Sequence, residues 1–424
     1  MRPTLTQMRL LLAERRFRLL WLGQTTSFFG DALIPVATAF AVLDLTHSAS
    51  DLGIALAAQT IPFIGFVLVG GVWADRLPTN VVMLASDVIR GTVQAVAATL
   101  LLTGNLPFWG LVGLLAIYGT AQAFFQPAAT AIVPNIVEDA HLQQANAVLS
   151  LSRRGTFVVG PAVAGLLVAG VGPGVAFAID AGTFVASFLS LAFIHPHFEK
   201  PTQRPGFIGD LRSGWREFTA HAWLWVSVLW GSSHLFFVVA PMFVLGPVVA
   251  VRSLGGAAAW GMISAAFPLG MFIGGTAALR WKPQRPLLTA SALIMFFAPA
   301  PALLALPALS YVIAVAEGVA GAVVGFYQVI WTTTLQRHVA REKLSRVSSY
   351  DVLGSYAFTP LGYLVAGSVA AHIGIATTLW ISAGWVAAST AVVLILTGIG
   401  VLRWPDAEPY RPPELASEPS SAET

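Results

Sequence analysis

An all-α integral membrane protein, built as twelve spanning helices in two pseudo-symmetric bundles of six, is what this chain predicts. Three observations carry that expectation: an apolar composition, twelve long apolar runs, and a motif pattern that appears once in each half. Of 424 residues, 56% are hydrophobic and 10% charged, with mean hydropathy +0.75. A soluble domain carries about 25% charged residues, so water is not the main solvent here. A hydrocarbon layer of about 30 Å takes roughly 20 helical residues per crossing, and a chain of 424 residues has room for twelve crossings with short loops and no soluble accessory domain.

The apolar runs place helices near 18–43, 52–73, 81–103, 107–131, 143–169 and 174–194, then near 222–249, 257–279, 287–306, 308–334, 347–371 and 375–402. Residues 1–17 form a short N-terminal segment, 195–221 a polar connector between the halves, and 403–424 a tail expected to be disordered. Arg15, Arg16 and Arg18 directly precede the first apolar run with no small-residue cleavage site, so the first helix is expected to stay. Zero cysteines exclude disulfides and thiolate chemistry.

The formal charge of +3 lies in the gaps between apolar runs rather than in one patch, which argues against a nucleic-acid partner. It is a topology signal instead. Arg76, the Lys200 to Arg216 connector, the Arg280, Lys282 and Arg285 loop, and Arg337, Arg341, Lys343 and Arg346 fall on one side together with both termini. The loops at 44–51, 104–107, 170–174, 307–310 and 372–374 carry no Lys or Arg, and Arg252 alone breaks the pattern. Positive charge accumulates on cytoplasmic loops, so both termini are expected inside the inner membrane of a bacterial cell, a source also suggested by 20 Arg against 3 Lys. His195, His197 and Glu199 on the connector read as a solvated linker, since no helix fixes a metal geometry there.

The halves repeat. Pro62, Gly65, Gly70, Gly71 and Arg76 are echoed by Pro268, Gly270, Gly274, Gly275 and Arg280. Phe125-Gln126 matches Tyr327-Gln328, Val137 matches Val339, Leu142 matches Leu344 and Pro161 matches Pro360, at offsets between 199 and 204. Two related six-helix halves with a shared cavity near mid-membrane are a transporter architecture.

Several segments then resemble one family. Gly71-Val72-Trp73-Ala74-Asp75-Arg76-Leu77-Pro78 resembles the loop 2–3 signature of the major facilitator superfamily, and Gly155, Gly160-Pro161 and Gly165 are similar to the antiporter motif of its drug exporters. Phe17 to Trp21 with Gly30-Asp31, Gln144 to Ala147, and Leu335 to Val347 resemble the macrolide-efflux branch. In the loop signature Pro78, Thr79 and Asn80 stand where the family has Gly and basic residues, and Tyr118 to Phe125 on the fourth helix carries no charge. The resemblance implies the major facilitator fold and proton-coupled export of drug-like molecules by alternating access, with Gly71, Asp75 and Arg76 as a cytoplasmic gate. A metabolite or siderophore exporter or importer, or a receptor, stands as the alternative.

Ionisable groups inside a bilayer are costly and mark function. Asp31 lies 13 residues beyond Arg18, about 20 Å along a helix, and Glu317 ten residues beyond Pro307, about 15 Å. Neither has a basic partner nearby in sequence. Both are read as proton-coupling carboxyls facing one central cavity, because a carboxyl that alternates between apolar and watery surroundings can bind and release a proton. Asp87 and Arg90 share a face of the third helix and read as a self-neutralising structural pair. Arg153 and Arg154 read as snorkelling to the cytoplasmic edge, and Asp180 as complementing a helix dipole. Phe28, Phe29, Phe124, Phe125, Gln126, Tyr327, Gln328 and Trp331 combine aromatic area with amides, as small-molecule cavities do. No phosphate loop, HExxH or clustered His-acid set occurs, so no enzyme, cofactor or metal is expected. The expected partners are a small-molecule substrate, protons and the lipid bilayer, with the chain acting as a monomer.

Overall fold

Helix length follows from the apolar runs, because in hydrocarbon every backbone N–H and C=O must be paired within its own segment. The computed structural model describes residues 11–138, 141–194, 215–216, 218–339 and 341–398. Among them are twelve helices long and apolar enough to cross a membrane. The first six are α1 (Arg15–Thr46), α2 (Ala49–Arg76), α3 (Thr79–Leu102), α4 (Phe108–Ala131), α5 (Leu142–Val171) and α6 (Pro173–Ala192). The second six are α7 (Ala222–Leu254), α8 (Ala257–Arg280), α9 (Pro286–Ala305), α10 (Ser310–His338), α11 (Tyr350–Ile373) and α12 (Ile375–Thr397). Residues 1–10, most of the connector including His195, His197 and Glu199, and the 403–424 tail lie outside the described residues.

The helices run past the expected ends where the chain has no reason to stop. The α7 span continues to Leu254 through π-helical turns at Leu235–Val239 and Ala250–Leu254, beside Pro241 and Pro247, which lack a backbone donor. Residues 341–346, expected as a loop, are helical and belong to a helix that runs from Arg341 to Tyr356, and the chain breaks at Ala357-Phe358 before restarting at Thr359. Pro360, in the first turn of that restart, explains the break.

Short connections make successive helices antiparallel, so α1 starts and α12 ends on one face, here called proximal. On the opposite, distal face the repeat is visible in the backbone. Gly172 (φ 86°) joins α5 to α6 and Gly374 (φ 91°) joins α11 to α12, each in a conformation that L side chains rarely adopt. Glycine contacts repeat too. Gly70 and Gly119 of α2 and α4 press on the carbonyls of Ala123 and Gln59, as Gly274 and Gly321 of α8 and α10 press on those of Ala322 and Phe267.

The halves meet through two matched glycine crossings. A β-carbon at Gly165 of α5 would lie 2.6 Å from the Ala257 carbonyl oxygen and 2.8 Å from Cα of Gly261 on α8. One at Gly367 of α11 would lie 2.5 Å from Cα of Ser50 on α2, and Gly53 of α2 backs onto the Tyr363 carbonyl. Both crossings lie toward the distal face, and small residues there let backbones approach in lipid. Nearer the proximal end, a β-carbon added at Gly65, Gly71 or Gly155 would meet no atom within 4 Å, so those faces of α2 and α5 are open.

Gly165→Leu therefore should destabilise the purified protein by about 1–3 kcal/mol through overpacking, while Gly155→Leu should change it by less than about 0.5 kcal/mol. Thermal unfolding followed by size-exclusion fluorescence measures both. Equal effects at the two positions would contradict the crossing.

Candidate functional site

Three helices of the first half carry polar residues at the same spacing, i, i+3 and i+7: Gln24, Ser27 and Asp31 on α1, Asp87, Arg90 and Gln94 on α3, and Asp180, Thr183 and Ser187 on α6. That spacing lines one helical face, and all nine except Asp31 are buried, with the Asp31 side chain 17% exposed. The three faces point at each other. Gly23 and Gly30 make the matching side of α1 flat: a β-carbon at Gly23 would meet Ser190 at 2.9 Å, and one at Gly30 would collide with Asp180 and Thr183.

Arg90 sits at the centre. Its Nη2 lies 2.6 Å from Asp87 Oδ1 and its Nη1 3.7 Å from Asp31 Oδ2. The guanidinium is held between the rings of Phe125, 3.9 Å from its centroid, and Phe184, 4.4 Å away. Ser187 donates to the second Asp87 oxygen at 2.7 Å, and Tyr118 of α4 donates to Asp31. Gln94 Nε2 donates to Asp180 Oδ2 at 2.6 Å, and Thr183 lies 3.2 Å from the other oxygen. Asp180 is within electrostatic reach of both Asp31 and Arg90. Three carboxyls thus share one cation, and no second cation reaches the cluster among the described residues.

This differs from the expectation in four respects. Asp31 has a basic partner, brought from α3 by packing. Asp87 and Arg90 are not a closed pair, since Arg90 also faces Asp31. Asp180 lies seven residues inside α6 and is fully buried, so it does not serve the helix end. Phe125, expected in a substrate cavity, is 2% exposed and packs against Arg90 instead. Asp31 and Glu317 are not in contact. Glu317 is buried on α10, with no hydrogen bond or ion pair among the described residues.

The other candidates fall into three groups. Phe124 packs within the first half on Phe66 and Trp73 of α2, and Phe28, Phe29 and Gln126 are half-buried. In the second half Tyr327 stacks on Trp331 at 6.3 Å and meets Trp230 edge-on at 5.8 Å, while Trp331 donates to Asp351 at 3.0 Å and Gln328 is exposed. An apolar pocket of about 380 Å³ between Trp225, Leu229, Tyr350 and Leu353 is lined by almost no polar surface and lies away from the carboxyl cluster. On α5, Gly160 abuts Ala32 of α1, the residue after Asp31, and a β-carbon added at Gly261 would lie 2.5 Å from the Pro161 carbonyl oxygen. A β-carbon at Gly71 of α2 would meet no atom within 4 Å, and the side chains of Asp75 and Arg76 lie outside the described residues.

A family model described as "Transmembrane secretion effector" matches residues 10–416. The chain is 25% identical over 367 residues to Macrolide efflux protein A of Streptococcus pyogenes, covering 85% of this chain and 90% of that one. It is 31% identical over 279 residues to Enterobactin exporter EntS of Escherichia coli O1:K1 / APEC, covering 64% of each, so that match spans less than two thirds of the exporter's length. Its fold superposes on the crystal structure of nucleoside transporter NupG with a TM-score of 0.75 at 12% identity, covering 90% of this chain and 99% of the other.

Removing one partner of a buried ion pair leaves an uncompensated charge and costs about 3–5 kcal/mol. Arg90→Leu alone should therefore lower stability by that amount, and adding Asp87→Asn and Asp31→Asn should recover more than half of it. A thermal-unfolding cycle on the purified variants tests the sharing, and strictly additive losses would contradict it.

Proposed function

Because this chain belongs to the transmembrane secretion effector family, we propose that it exports small amphipathic molecules from a bacterial cell in exchange for protons, by alternating access. The buried cluster in which Asp31, Asp87 and Asp180 share Arg90 supports this reading more than any other observation. Carboxyls in excess over cations, inside a low-dielectric bundle, are a site for a proton. Asp31 is the exchanging member, being the one with exposed surface, and Gln24 and Ser27 below it carry buried polar atoms without a protein partner. When Asp31 takes a proton, Arg90 turns wholly to Asp87. When it releases one, Arg90 is drawn back toward α1.

That shift reaches the other half through adjacent residues. Ala32 touches Gly160, and α5 crosses α8 at Gly165 and Gly261. With both termini cytoplasmic, the distal crossings close the outside and the parted proximal ends admit substrate from within. Glu317 supplies a second proton site in the other half. Asp75 and Arg76 latch the cytoplasmic side when the cleft closes, through helix-end and charge-assisted hydrogen bonds. Macrolide-like drugs are the first substrates to test. Export of a siderophore-like metabolite is the second reading, favoured by the 31% identity to a siderophore exporter.

In inside-out vesicles to which a compound panel is added externally, an imposed pH gradient should accelerate uptake, and Asp31→Asn should cut that acceleration at least tenfold while leaving substrate exchange without a gradient intact. Gradient-independent uptake by the unaltered protein would contradict proton coupling. Asp75→Asn should slow transport about fivefold or more at unchanged expression, as scored by whole-cell efflux; unaltered efflux would remove the latch.

A further inference from the structure

One cation in the middle of the chain takes no part in the Asp31 cluster. Arg153 of α5 is exposed, and among the described residues no carboxylate lies within ion-pair distance of it. Its guanidinium does not run outward along its own helix. It turns onto α1, with its central carbon 5.6 Å from the Phe28 ring centroid, and it also covers Phe157, 5.8 Å away. Two turns before Phe28 on α1, Trp21 Nε1 donates to Oγ of Ser152, the residue before Arg153, at 2.8 Å, which fixes the α1–α5 register. Thr25, on the same face of α1 as Trp21 and Phe28, has a buried hydroxyl with no protein partner.

Position along α5 shows what Arg153 faces. Residues 153, 157, 160, 161 and 164 share one face of the helix. On that face Gly160 meets Ala32 and the Pro161 carbonyl meets Gly261 of the other half. Arg153 is eight residues before Pro161, about 12 Å closer to the proximal end. On that face Arg153 and Phe157 are exposed, whereas Gly160, one turn further along, is buried. Arg153 therefore lies on the wall of the cleft just below its closed end, rather than on the outer surface of the bundle.

We propose that Arg153, with Thr25, Phe28 and Phe157, forms a binding site in the proximal cleft for an anionic group carried on an amphipathic substrate. A guanidinium offers paired donors that match a carboxylate, phosphate or sulfonate. The two rings that flank it take an aromatic or apolar body by face and edge contact, and the Thr25 hydroxyl completes the polar end. Asp31 begins one turn further into the bundle, so the anion is attracted by Arg153 and kept from the carboxyls by like charge. This names the substrate class of the export reading above and rests on it.

The test uses the full chain in nanodiscs and a matched pair of probes, dansylglycine, which carries a carboxylate, and its neutral amide. The protein should bind the acid at least tenfold more tightly than the amide by fluorescence titration. Arg153→Gln should abolish the preference by weakening the acid alone, Arg153→Lys should keep it within about threefold, and Arg154→Gln should leave it unchanged. Equal affinity for the two probes, or an equal loss of both in Arg153→Gln, would overturn the site. A preference present in zwitterionic discs but erased by phosphatidylglycerol would assign the cation to lipid headgroups and overturn it as well. Intact, Arg153-dependent binding with no gradient-driven flux of either probe would instead remove the export reading and leave the anion site standing.

Discussion

A charge cannot be left alone in hydrocarbon, and this bundle holds four ionisable groups around one point. Moving a carboxylate or guanidinium out of water costs several kcal/mol after relaxation, so Arg90, 1% exposed, is tolerable only because Asp87 and Asp31 flank it and two aromatic faces cover it. Even then the charges do not balance: three carboxyls answer one cation. The surrounding design reads as a response to that surplus. Tyr118, Ser187, Gln94 and Thr183 each place a donor on a carboxyl oxygen, and the flat glycine positions of α1 bring its stripe against α6 closely enough for those donors to serve one cluster.

The same constraint joins chemistry to movement. Asp31 and Ala32 are consecutive, yet one faces the charge cluster and the other faces Gly160. A change in how Arg90 divides itself between α1 and α3 is therefore felt at the α1–α5 contact, and α5 is also the helix that crosses into the second half. The two crossings, Gly165 with Gly261 and Gly367 with Ser50, join the halves on the distal side through backbone contacts rather than interlocking side chains. The halves are alike in backbone but unlike in content. The first holds the shared cation, and the second holds an aromatic cluster of Trp223, Trp230, Tyr327 and Trp331 together with the buried Glu317.

Much of the fold is legible in the chain because hydrocarbon admits so few solutions. Twelve apolar runs become twelve helices, and the repeat of Gly70 and Gly274 marks equivalent helix contacts. The site is legible only in part. Asp31 stands out as an acid in an apolar run, but its partners are 59 and 87 positions away on Arg90 and Tyr118, and only packing brings them together. A signal was nonetheless present: three helices share polar residues at i, i+3 and i+7, and stripes of equal spacing in a bilayer must face one another. Arg153 illustrates the converse, since its depth alone fits snorkelling and only the orientation of its guanidinium over Phe28 separates the two readings.

The proposed coupling rests on the Asp31 cluster exchanging a proton when substrate binds. Proton counting on the purified protein reads that exchange itself: a transported compound is added to the chain in weakly buffered detergent solution, and the pH change is converted to protons per molecule bound. About one proton should be released per bound substrate, and none from Asp31→Asn with binding retained. Release that is absent in the unaltered protein, or that persists undiminished in Asp31→Asn, would show that the cluster does not carry the coupling.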